Sequence, residues 1–159
     1  MALVTRSRPE TAESHFASIA DRPFPFLIDW TDPDHPERPR TFIGSDPVRV
    51  LIAKGDRVTE WRAGRSRTRA CDPFAALEKA LKEHARDAGL AVGYFGYDLG
   101  GRLERLPHAA KDDRDLPDMV VAFHDRVLDL AEGRARRAEP TRPQERAISP
   151  EEFERHFGG

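Results

Sequence analysis

With Cys71 as its single cysteine, this chain of 159 residues can close no intrachain disulfide. That absence makes a reducing, cytoplasmic location the expectation. No apolar run approaches the roughly 20 residues needed to span a bilayer, so no membrane partner is expected. The arginines within residues 1–10 are followed by no apolar core, and no secretory signal is evident. Charge of neither sign dominates: 26 lysines and arginines face 28 acids, for a net charge of −2. Such a balance exerts no global pull toward nucleic acid. No internal repeat, Gly-x-Ser-x-Gly elbow or zinc-spaced histidine pair is present.

What is present is a lean but foldable chain. Charged residues make up 34%, against about 25% in ordinary globular chains. Hydrophobic residues make up 38%, and the length suits one domain with a real core.

The pattern predicts a short helix over 13–19 and a strand over 25–30. Residues 31–40 hold Pro33, Pro36 and Pro39 among charges and read as a loop, because proline donates to no ladder. Strands are expected over 41–44 and 48–53. Lys54-Gly55-Asp56 makes a hairpin turn into a strand over 57–62, and residues 62–69 read as a basic, glycine-containing loop. The best helix spans 72–88: Asp72 caps it, Pro73 opens it, and Phe74, Leu77 and Leu81 share a face continued by Ala85 and Ala88. Glu78 and Lys82 form an i,i+4 pair, and Gly89 serves as a left-handed stop. Residues 90–97 read as an apolar strand whose Gly93 and Gly96 point to a central strand pressed against another layer, with a short helix over 98–106. Residues 119–130 form a long strand or hairpin arm, with the first half buried on both faces. Ala131-Glu132-Gly133 turns the chain into a polar stretch over 134–147. Ser149-Pro150-Glu151-Glu152-Phe153 starts a new helix. The fold class is therefore α+β, with residues 1–20 loosely held or briefly helical, a domain over 21–148, and the start of a linker helix over 149–159.

Several features invite a chemical reading. The glycines of 93–101 suggest a phosphate loop, but the spacing fits neither a dinucleotide turn nor a P-loop, and close packing explains them better. His35 between Asp32, Asp34 and the prolines offers a weak metal site or a solvated loop. His124 sits within an apolar strand as a hydrogen-bonded core histidine rather than a catalytic one. Cys71 adjoins a helix start, where a thiolate is favoured, yet it has no evident base partner. Asp112-Asp113-Arg114-Asp115 reads as a solvated acidic loop lacking further Mg²⁺ ligands. Arg134, Arg136, Arg137, Arg142 and Arg146 alternate with glutamates and lack aromatic stacking partners, which argues against a nucleic-acid patch. No catalytic residue is identified.

The order of segments resembles the N-terminal region of component I of aminodeoxychorismate synthase and anthranilate synthase. The matching pieces are Pro25-Phe26-Leu27-Ile28-Asp29, Phe42-Ile43-Gly44-Ser45-Asp46-Pro47, Asp72-Pro73-Phe74-Ala75-Ala76-Leu77, Gly93-Tyr94-Phe95-Gly96-Tyr97-Asp98 with Leu103-Glu104, and Leu116-Pro117-Asp118-Met119. Ser149 to Phe153 resembles the family's linker helix. The resemblance implies mainly antiparallel β-sheet layers with helices packed outside, here as an incomplete domain. It places chorismate, Mg²⁺ and the acid/base residues in a C-terminal region that this sequence does not contain, so no cofactor is expected in this chain. It implies a separate catalytic, chorismate-binding chain and a glutamine amidotransferase subunit as partners. The expected role is a truncated or split-gene subunit on the p-aminobenzoate and folate route. The alternatives are a stand-alone module that binds an aromatic amino acid or docks onto a synthase, and a non-functional remnant.

The family's tryptophan pocket would fall on Asp29 and Trp30 and on Glu37, Arg38, Pro39 and Arg40. Trp30 departs from the family's serine. Its indole either fills the pocket itself or packs in the core, and loss of the site is the expected outcome.

Overall fold

The computed structural model of the chain describes residues 11–32, 34–85, 89–105, 114–131, 134–138 and 146–157. Its described elements are α1 (Ala12–Ala17), β1 (Phe26–Asp32), β2 (His35–Gly44), β3 (Arg49–Lys54), β4 (Arg57–Arg62), β5 (Arg65–Ala70), α2 (Pro73–His84), β6 (Leu90–Phe95), a 3₁₀ turn (Tyr97–Arg102), β7 (Met119–His124), β8 (Val127–Ala131), β9 (Arg134–Ala138) and α3 (Pro150–Phe157). The expected α+β class holds. The strands make two sheets, ordered β1-β2-β8-β9 and β5-β4-β3-β7-β6, and every strand pairing is antiparallel.

The five-stranded sheet carries the core. Alternation puts Leu51 and Ala53 of β3, Val58 of β4, and Met119, Val121 and Phe123 of β7 on one face, where α2 covers them with Ala76, Leu77 and Ala80. The opposite face gathers Val50, Trp61 and Ala122 around Ala147 and Ile148, with Phe24 and Phe153 packed against them. α2 begins as its sequence dictates, because the Asp72 carboxylate accepts a hydrogen bond from the Ala75 amide at 2.9 Å. Its Glu78–Lys82 pair closes at 2.5 Å. Ser149 and Glu152 start α3 with reciprocal bonds, each amide donating to the other side chain at 3.2 Å.

Six expectations are corrected. Residues 31–40 are not a loop, since β1 runs to Asp32 and β2 begins at His35. β1 pairs with β2 at Trp30 opposite Arg40 and at Asp32 opposite His35 with a register shift between them, so Pro36 and Pro39 fall in an irregular stretch, where a strand tolerates proline. Residues 62–69 are not a basic loop either. Ala63 and Gly64, both at positive φ (51° and 67°), turn the chain tightly into β5. Of the expected stripe on α2, Leu77 is buried and Phe74 packs against the core, but Leu81 lies 43% exposed, and Pro73, Ala76 and Ala80 complete the buried face. α2 also stops at His84 before Gly89, which does not take positive φ. Residues 119–130 split into β7 and β8, which pass from one sheet to the other through Asp125 and Arg126. The polar stretch after residue 133 contains β9.

The sixth correction concerns β6, which is the edge of its sheet and not a central strand. Its Gly93 answers to the neighbouring strand rather than to another layer. A Cβ on Gly93 would stand 1.9 Å from the Val120 carbonyl oxygen of β7. The expected short helix after it is the 3₁₀ turn. Glycine at 89 serves close approach as well, since a Cβ there would meet the His124 carbonyl oxygen at 2.1 Å.

Candidate functional site

Two regions hold the residues that the sequence singles out. The first is the β1–β2 ribbon. Asp29 is the register partner of Thr41 and Trp30 that of Arg40. Asp29 accepts a hydrogen bond from the Thr41 hydroxyl at 2.7 Å. Arg40 pairs with Asp129 of β8 and lies 4.9 Å over the Phe42 ring. Bonding to Asp129 holds the Arg40 guanidinium above its ordinary pKa. Trp30 is 53% exposed, so its indole is not packed in the core. Backbone pairing thus brings Asp29, Trp30 and Arg40 together on adjacent strands. Glu37, Arg38 and Pro39 belong to β2, and their side chains lie outside the described residues.

The second region is β6 with its 3₁₀ turn. The Gly96 amide donates to the Asp118 carbonyl at 2.7 Å, and the Asp118 carboxylate accepts from the Gly55 amide at 2.7 Å. Lys54 donates to the Leu116 carbonyl at 2.7 Å. The turn is thereby tied to the β3–β4 hairpin, and Arg102 adds a bond to Asp56 at 2.5 Å. The strand's side chains remain uncovered: Tyr94 is 45% and Phe95 58% exposed, and Tyr97, Leu103 and Leu116 lie exposed nearby. Partial burial, then the Asp118 carboxylate, raises the Tyr94 hydroxyl pKa. Among the described residues this is an apolar, aromatic sheet edge with no strand paired beyond it, a surface that invites association.

The remaining candidates are placed as follows. His124 is fully buried, its ring Nδ1 donates to the Ser45 carbonyl at 3.3 Å, and Phe26 stacks edge-on at 4.7 Å. Desolvation lowers its pKa to about 4, which keeps it neutral at physiological pH. Cys71 packs against the core beside α2. The side chain of His35, Asp112 and Asp113 lie outside the described residues. Among the described residues no three His, Cys, Asp or Glu side chains gather as a metal site would require. No described helix is long and apolar enough to cross a membrane.

Sequence reasoning missed one charged arrangement. Arg49 of β3 is buried and held between Glu60 at 3.0 Å and Glu83 at 2.5 Å. It floors a groove of about 530 Å³ between α2 and the β4–β5 hairpin, rimmed by Arg62, Arg65, Arg67, Arg69 and Lys79. Alternating arginines in 65–69 are the signal that was available, once those residues are read as a strand.

No protein-family model matches the chain. Among curated proteins it is similar to aminodeoxychorismate synthase component 1 of Salmonella typhimurium (strain LT2), with 34% identity over 76% of this chain and 29% of the relative. Anthranilate synthase component 1 of Mycobacterium bovis is 31% identical over 70% of this chain and 24% of the relative. The anthranilate synthase component 1 of Acetivibrio thermocellus is 29% identical over 75% and 26%. The chain spans less than a third of the length of these relatives.

Proposed function

We propose, for a chain that belongs to the component 1 family of aminodeoxychorismate and anthranilate synthases, that it supplies a non-catalytic N-terminal domain to a chorismate-aminating enzyme of the cytoplasm. One observation carries this reading: the aromatic edge strand β6, with Tyr94 and Phe95 exposed on an open ladder. In this reading a catalytic, chorismate-binding region covers that edge, and a glutamine amidotransferase subunit delivers ammonia. Mg²⁺ would be held by the catalytic region. The residues described here do not fit it, since they bring no three ligands together, and no chemical step is assigned to them. The aminodeoxychorismate branch, on the p-aminobenzoate and folate route, is preferred for the style of the matching segments taken together.

The test is reconstitution. The purified chain is expected to form no aminodeoxychorismate or anthranilate from chorismate, ammonia and Mg²⁺. It is also expected to bind a separately expressed catalytic region of a component 1 relative. Product from the pure chain would overturn the reading, as would failure to bind that region.

At the tryptophan-pocket positions we infer loss of the site. The exposed Trp30 and the neutralised Arg40 support that inference. Calorimetry with tryptophan is expected to show no heat. Saturable binding abolished by Trp30→Ala would favour the stand-alone binding module instead.

A further inference from the structure

The edge of the five-stranded sheet opposite β6 has a different chemistry. β5 is that edge, and five of its six residues are exposed. Its register with β4 pairs Arg69 with Val58, Arg67 with Glu60 and Arg65 with Arg62. Val58 belongs to the core under α2, so Arg65, Arg67 and Arg69 all stand on the α2 face. The alternate residues stand on the other face, where the Thr59 and Thr68 hydroxyls meet at 2.9 Å. Three arginines thus form one row, repeating about every 6.8 Å along the strand.

The row carries an excess of positive charge. Glu60 is shared between Arg49 at 3.0 Å and Arg69 at 3.6 Å. Glu83 is shared between Arg49 at 2.5 Å and Arg62 at 3.9 Å. Arg65 and Arg67 make no ion pair among the described residues, and Arg65 directly faces the like charge of Arg62, an unfavourable cross-strand pair. α2 does not relieve this, because its apolar stripe sits over β3 and β7, and it adds Lys79 to the same groove.

We infer that β5 is a docking edge for an acidic extended segment of a partner protein, with carboxylates at alternate positions. Such a strand has the same two-residue repeat as the arginine row. Added antiparallel to β5, it would set an acid opposite each of Arg65, Arg67 and Arg69 while its backbone continues the ladder. A second copy of β5 is refused, because antiparallel self-pairing centred on Arg67 puts Arg65 against Arg69 and Arg67 against itself. Single-stranded nucleic acid fits less well, since no aromatic side chain lines the groove to stack a base. This inference does not depend on the role proposed for β6.

The experiment uses the full chain and fluorescence anisotropy. The probe is a labelled peptide, Thr-Glu-Val-Glu-Val-Glu-Thr. Its comparators are an isomer with the three glutamates adjacent, the same peptide N-methylated on alternate amides, and an oligothymidylate. The alternating peptide is expected to bind at least about tenfold tighter than the block isomer and the N-methylated form, and binding should weaken with salt. Arg67→Glu is expected to weaken it about tenfold or more, and Arg67→Thr, which keeps strand propensity, by about fivefold. An unchanged far-UV spectrum and melting point establish that these variants remain folded. No binding by the alternating peptide overturns the inference. Equal binding by the block isomer, or tighter binding by oligothymidylate, overturns it too, leaving only a diffuse cationic field.

Discussion

Replacing Gly93 with alanine tests the account of β6. The added Cβ would lie 1.9 Å from the Val120 carbonyl oxygen, and 2.8 Å from both the Val120 carbonyl carbon and the Val121 Cα. All three atoms are backbone of β7, which is held on its other side by β3 and pinned by buried Met119, Val121 and Phe123. β7 therefore cannot yield. β6, as an edge strand, can, so the strain is expected to appear as local separation of β6 from β7.

The magnitude follows from two opposing effects. Overpacking costs about 1–3 kcal/mol, and the rigid backbone partner puts this site near the upper end, about 3 kcal/mol. Restricting the unfolded chain offsets about 0.5–1 kcal/mol of that. The net loss of about 2 kcal/mol should lower Tm by about 4–8 °C for a domain of this size. Urea unfolding gives the free energy, and amide hydrogen exchange locates the change. Protection should fall across β6 and persist in β3 and β7. Gly96→Ala is the comparator, because its nearest contact, the Asp118 carbonyl oxygen, would be 3.3 Å away. It should cost less than about 1 kcal/mol. A Gly93→Ala protein within about 0.5 kcal/mol of the parent, with β6 still protected, would refute the claim that backbone proximity fixes this glycine.

Three further outcomes are expected. Burial holds the His124 pKa at about 4, below its unfolded value of about 6.5. The neutral ring therefore contributes stability that is full above about pH 6.5 and is lost as pH falls toward 4, by about 3 kcal/mol. His124→Asn should flatten that slope in urea titrations at several pH values, and an unchanged slope would refute the assignment. Glu83 is held below the ordinary carboxylate range by its bond to Arg49, then opposed by burial. Its contribution is present above the unfolded carboxylate pKa and is lost as pH falls through the depressed folded value, so Glu83→Gln should reduce acid sensitivity. Finally, Leu77→Ala should cost about 2–4 kcal/mol while Leu81→Ala costs under about 1 kcal/mol; equal losses would contradict the observed face of α2.

Much of the fold was legible where a local rule had no competitor. The Asp72 cap, the Gly55 turn and the helix start at Ser149 depend on residues within one turn of each other, and each appears as read. The errors came where pairing partners decide. Prolines argued for a loop over 31–40, but a strand tolerates proline where its pairing is irregular, and the β1–β2 register shifts between Trp30 and Asp32. β5 carries almost no apolar residue, so periodicity was silent, although Ala63-Gly64 marked the turn. Gly93 did signal close approach, as read from the sequence. The sequence does not say whether the approaching backbone is in the same sheet or another layer. For the candidate site, the segments resembling the family were legible as a set, while the exposure of Trp30 and Phe95 depends on what covers them in space.

The two edges of the five-stranded sheet can be ranked by what water does to each. At β5, exposed arginines keep their hydration and discourage neutral or basic strands, so that edge is stable in solution without a partner. At β6 the exposed groups are aromatic rings on both faces, Tyr94 on one and Phe95 on the other, with Tyr97 beyond them. Tyr94 and Phe95, about half exposed, each forgo on the order of 1 kcal/mol of burial free energy, and no charge guards the ladder along 90–95. An edge of this kind favours a permanent cover over transient contact, whereas a hydrated cationic edge favours a reversible, salt-sensitive one. The two proposed partners match this difference: a large apolar surface that would complete the sheet at β6, and a small acidic strand that would come and go at β5.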